Sequence, residues 1–150
     1  MLQDAKFLFL SFEGRIGRFV FWGGLAVVLA AALLVQAGVV WFFGASGELP
    51  LGLVLLSFPF YVALLWLLAA LGAKRFHDRG RPGWLGAVAL GPPYLQTIAD
   101  TLRLTETSEG ATGLGLALSV LTLICLLWAI IDLGFLGGDD ETNRFGPPPR

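Results

Sequence analysis

Nearly all of the side chains in this sequence that are suited to chemistry fall in three short segments: FEGRIGRFVFW (Phe12–Trp22), KRFHDRGRPGW (Lys74–Trp84) and ETNRFGPPP (Glu141–Pro149). The middle one holds four basic residues, the only histidine of the chain and an aspartate. Drawn together, Arg15, Arg18, Arg75, His77, Asp78, Arg79, Asn143 and Arg144 suit one kind of chemistry above others, the binding of an anion. Two readings stay open. The arginines hold an outside anion such as a lipid phosphate or an acidic partner, or they are paired internally with Asp78, Asp132, Asp139, Asp140 and Glu141 as a structural clasp.

Catalytic readings are poorer. His77 and Asp78 are adjacent, and neighbours on a helix point in different directions, so they do not by themselves make a base and its orienting group. No catalytic residue is expected, and one histidine with one cysteine gives no metal site. No cofactor is expected either, since no Gly-rich phosphate loop is present. The GASG stretch, Gly44–Gly47, has the Gly-x-Ser-Gly form of an intramembrane serine protease, but Ser46 is expected on the side opposite His77 and reads as part of a turn. Cys125, alone in an apolar run, reads as a small packing residue.

The elements that must position these residues are hydrophobic. Of 150 residues, 56% are hydrophobic and 14% charged, and the mean hydropathy is +0.76, a composition that suits lipid rather than water as the solvent. The net charge of −1 argues against a nucleic-acid partner. A bilayer core of about 30 Å takes roughly 20 helical residues. Runs of that length predict spans over 19–43, 51–71 and 114–136, and a further one over 84–104. This third span in chain order is expected to be short and broken by Pro92 and Pro93, and Pro59 to interrupt the one before it. The first run is too long for the apolar part of a cleaved signal.

Lys6, Arg15 and Arg18 precede the first run, and Lys74, Arg75, Arg79 and Arg81 lie between the second and third. The positive-inside rule then makes 1–18, 72–83 and 137–150 cytoplasmic. The predicted fold is an all-α integral membrane domain, 1–150, of four transmembrane helices with both termini inside. Asp132, about one turn from the cytoplasmic end of its run, is expected to form an intramembrane ion pair with Arg15, Arg18 or Arg75 rather than a proton relay.

The three polar motifs, in their order and spacing between apolar spans, resemble the signature of the domain of unknown function 805 family, small bacterial inner-membrane proteins. Its F.GR..R..FW element falls on Phe12, Gly14, Arg15, Arg18, Phe21 and Trp22. Its R.HD element falls on Arg75, His77 and Asp78, and its terminal NRFGP on Asn143–Pro147. The chain departs from the family pattern after Trp84 by inserting the polar DTLRLTETSEG. The resemblance implies a multi-pass protein of the bacterial inner membrane and no particular activity. The expected role is a non-enzymatic accessory, scaffold or anionic-lipid-binding component. Its partners would be membrane lipids, anionic phospholipid above all, and a membrane-protein partner or a second copy. The alternatives are an oligomeric small-solute or ion permease and an enzyme acting on lipid head groups.

Overall fold

A computed structural model of the chain describes residues 2–43, 51–107 and 110–149. Five helices follow one another: α1 (Leu2–Leu10), α2 (Arg18–Phe43), α3 (Leu51–Asp78), α4 (Leu85–Thr101) and α5 (Gly113–Ala129), the last running into a π-helical turn, Ile130–Phe135. Between α4 and α5 the chain forms a small antiparallel hairpin, β1 (Glu106–Thr107) with β2 (Gly110–Ala111). The GASG turn lies outside the described residues.

Three of the helical segments are long and apolar enough to cross a membrane: Arg18–Phe42, Pro59–Asp78 and Gly113–Phe135, with mean hydropathies of 2.4, 1.3 and 2.6. In the first and the last of these the apolar side chains face outward along most of the length. Phe19 is 92% exposed and Trp41 86% exposed, which suits a protein whose solvent is hydrocarbon and not one that folds in water.

Buried residues concentrate at one end. From Ala70 to Phe76 every residue of α3 is buried, so the end of this helix is covered on all sides. Ile16, Phe21, Val28, Leu71, Phe76 and Leu133 form the apolar cluster around it, and Phe76 stacks on Trp128 with ring centres 5.7 Å apart. Trp22 donates its indole N–H to the Gly134 carbonyl at 3.1 Å. A Cβ at Gly134 would stand 2.5 Å from the Trp22 ring, so glycine is needed for that approach.

The elements differ from expectation in five places. The helix expected over 51–71 does not stop there, because α3 continues into the segment 72–83 as far as Asp78. Nor is the helix after it broken: α4 runs through Pro92 and Pro93 without interruption. Two factors permit this. Gly91 offers no Cβ to clash with the Pro92 ring, and the lost donors leave only the Val88 and Ala89 carbonyls short of a partner. Pro59 likewise lies inside a continuous α3. Residues 1–18 contain a helix, α1, packed on α3, and the inserted stretch supplies the end of α4, the strand β1 and the first residue of β2. Thr112 caps α5 by accepting the Gly115 N–H at 3.0 Å.

The candidate functional site: an arginine clasp

The site begins with the way α3 stops. Gly80, at φ +66°, closes the helix in a left-handed C-terminal cap. Gly80 N–H bonds the His77 carbonyl at 3.0 Å and Arg81 N–H the Phe76 carbonyl at 2.9 Å, the paired pattern that glycine makes accessible. The chain therefore reverses within three residues, and Arg79 and Arg81 turn the same way. Both reach Asp132: Arg79 Nη1 lies 2.8 Å and Arg81 Nη1 2.9 Å from its Oδ1.

A second knot forms on the other side of α3. Asp78 takes Arg15 on Oδ1 at 3.1 Å and Arg75 on Oδ2. The side chains of Arg15 and Arg75 are each 1% exposed and that of Asp78 4%. Their remaining donors go to backbone. Arg15 bonds the carbonyls of Glu141 at 2.7 Å, Gly146 at 3.1 Å, Asp78 at 3.3 Å and Asp139. Arg75 bonds the carbonyls of Leu133 at 2.7 Å and of Leu136, and the more exposed Arg18 bonds that of Phe135 at 3.2 Å.

These carbonyls explain how so many arginines gather around two carboxylates. The C-termini of α3 and of the π turn after α5 meet here, and a helix C-terminus leaves its last carbonyls unpaired and carries partial negative charge. Arg15 and the Asp139 N–H, 2.7 Å from the Asp78 carbonyl, cap α3. Arg75 and Arg18 cap the other end. The ligands of the arginines are thus two carboxylates, two helix ends and carbonyls of the C-terminal segment.

The C-terminal segment is fastened to the same place. Asn143 donates to the His77 carbonyl at 3.0 Å and to Asp139 Oδ2 at 2.9 Å, and its own Oδ1 accepts the Phe145 N–H at 2.9 Å. The Phe145 ring stacks on His77 at 3.8 Å, and the Arg144 guanidinium lies 4.7 Å above the Phe145 ring. His77 Nδ1 is 3.2 Å from the Gly14 carbonyl. A carbonyl only accepts, so Nδ1 carries the proton and the neutral ring presents Nε2 as an acceptor.

All eight residues singled out from the sequence therefore lie at this end, in one network. Their pairing differs from expectation in one respect: Asp132 bonds Arg79 and Arg81, not Arg15, Arg18 or Arg75, because Asp78 and the helix ends already occupy Arg15 and Arg75. Arg81 was not singled out, although it lies inside the same motif. Lys74 was missed as well. It is fully buried, and its ammonium donates to the Ser11 carbonyl and sits 5.5 Å from the centre of the Phe7 ring. Its partners come from α1 and the residues just after it, which no apolar run announced. Asp132 Oδ2 is buried without a hydrogen-bond partner. Among the described residues no cluster of three or more metal-ligating side chains occurs.

The comparisons with known proteins agree with these motifs. Residues 9–147 match the family described as "Protein of unknown function (DUF805)", and the chain belongs to that family. It is 34% identical over 137 residues to "Uncharacterized protein YiiR" of Escherichia coli (strain K12), covering 91% of this chain and 84% of the relative. The protein of the same name in Escherichia coli O157:H7 matches to the same extent. No solved structure gives a significant match.

Proposed function

We propose that this member of the family is a four-span protein of the bacterial inner membrane, both termini cytoplasmic, acting as a non-enzymatic accessory or scaffold component. The observation that carries the reading is Arg15. It precedes α2 yet bonds the end of α3 and carbonyls beyond α5, so the chain enters and leaves its apolar helices at one end. That arrangement calls for an even number of crossings and makes α4 the fourth span. Its 17 residues give about 26 Å, a little under the hydrocarbon thickness, which local thinning accommodates. Nine of the ten basic residues then share the cytoplasmic side, as the positive-inside rule asks.

The clasp favours a structural over a ligand-binding role for its deep members. The guanidiniums of Arg15 and Arg75 are spent on the chain itself, so an outside anion would have to displace carbonyls and Asp78. Contact with anionic phospholipid or a membrane-protein partner falls to the exposed rim, Arg18 and Arg144. The enzyme reading loses its pair: Asp78 faces Arg15 and Arg75, while His77 faces the Gly14 carbonyl.

Alkaline phosphatase fusions test the topology. The enzyme should be active when joined after Gly47 or Glu109 and inactive after Gly80 or Arg150. Activity after Arg150 would overturn the four-span reading. A lipid composition that changes in cells carrying His77→Gln, with the protein still folded, would overturn the non-enzymatic one.

A further inference from the structure

Beside the clasp, α3 and α4 diverge around an open groove of about 580 Å³, within the roughly 300–1,000 Å³ of small-molecule sites. Ala69 and Ala73 floor it from α3, and Gly86, Ala87 and Gly91 from α4. Among the described residues no Asp, Glu, Lys or Arg lines it. Trp84 marks one end and Tyr94 the other, and ten residues of helix span about 15 Å. That is one leaflet of a hydrocarbon core of about 30 Å, which is the reach of a single acyl chain.

The clasp end of the groove is polar in a specific way. His77 lines it, and with Nδ1 committed to Gly14 its Nε2 is an acceptor that meets no donor among the described residues. A Cβ at Gly83, another lining residue, would stand 3.0 Å from Nε2, which places that nitrogen on the groove side of the ring. Two cations lie beyond the lining at this end. Arg144 covers Phe145, the ring stacked on His77, is exposed, and makes one long bond, 3.4 Å, to the Gly80 carbonyl. The Arg81 side chain is 42% exposed. An apolar slot one leaflet deep, with an acceptor and cations at the head-group level, is complementary to one class of occupant.

We propose that this groove binds an anionic phospholipid of the phosphatidylglycerol class, its acyl chain between α3 and α4, its phosphate at Arg144, and a head-group hydroxyl donating to His77 Nε2. The site lies outside the saturated arginine clasp. It rests on the membrane reading above, but that reading stands or falls by the fusions, independently of lipid retention.

The test is native mass spectrometry of the full chain in mild detergent, titrated with phosphatidylglycerol or with phosphatidylethanolamine of the same chains. The wild type should retain one phosphatidylglycerol in preference to phosphatidylethanolamine. Ala87→Phe fills the groove from an exposed position and should weaken retention roughly tenfold or more with the unfolding midpoint unchanged. Arg144→Gln removes its cation from the clasp end of the groove and should erase the preference between head groups. Equal retention by wild type and Ala87→Phe would overturn the proposal. So would equal binding of the two lipids by the wild type, or an Ala87→Phe change that converts a dimer to a monomer, which would make the groove a contact between copies.

Discussion

Removing the Asp78 carboxylate tests the clasp at its centre. Asp78→Ala leaves Arg15 and Arg75, each with a side chain 1% exposed, as buried cations whose only ligands are carbonyls. Breaking a buried pair by deleting one partner costs about 3–5 kcal/mol, because the surviving charge stays desolvated. Here one carboxylate serves two guanidiniums, while the carbonyls of Leu133 and Leu136 for Arg75, and of Glu141, Gly146 and Asp139 for Arg15, remain. These retained bonds keep the expected loss within that range despite the double pairing. The assay is reversible unfolding in mixed micelles with increasing dodecyl sulfate, followed by far-ultraviolet dichroism. Glu13→Ala, at an exposed position, is the control and should stay within about 0.5 kcal/mol of wild type. Trypsin should also cut at Arg144 faster in Asp78→Ala, as the C-terminal segment loses its anchor. A loss below about 1 kcal/mol, the value of a surface pair, with unchanged proteolysis, would refute the buried-clasp reasoning.

Four further substitutions probe separate parts of the network. Lys74 is fully buried and, among the described residues, pairs with no carboxylate, so Lys74→Met should be neutral or stabilising by about 1 kcal/mol in the same unfolding assay, and a loss above about 2 kcal/mol would contradict this. Asp132→Leu should cost about 3 kcal/mol or more, whereas Arg81→Gln, at a side chain 42% exposed, should cost less than about 1 kcal/mol; the reverse order would show that Arg81 carries that pair. Gly134→Ala drives a methyl group into the Trp22 ring and should cost about 1–3 kcal/mol with a changed near-ultraviolet dichroism, and an unaltered spectrum would show that the ring does not rest there.

The long apolar helices were legible because hydrophobic run length is a one-dimensional signal: α2 and α5 begin within a residue of the predicted spans. The membership of the clasp was legible for a related reason, since three polar motifs interrupting such runs have few other places to meet. The pairing was not. Whether Asp132 meets Arg75 or Arg79 depends on the reversal at Gly80, which rotates Arg79 and Arg81 together, and a positive φ at one glycine leaves no mark in composition. The extension of α3 to Asp78 was hidden for another reason. A charged helical end covered on all sides by its own chain reads, in sequence, like a solvated loop. Pro92 and Pro93 misled because their usual effect was assumed without the local relief that Gly91 supplies.

The central claim is that the chain is fastened to itself at one end, the residues before α2 against those after α5. A Cβ at Gly17 would lie 3.8 Å from the Pro149 ring, close enough for a disulfide between Gly17→Cys and Pro149→Cys with little movement. In native membranes, with Cys125 replaced by alanine, mild oxidation should join these two positions within one chain, and adding Asp78→Ala should slow the reaction. Failure to join them, with the two cysteines labelled from opposite sides of the membrane, would contradict the account.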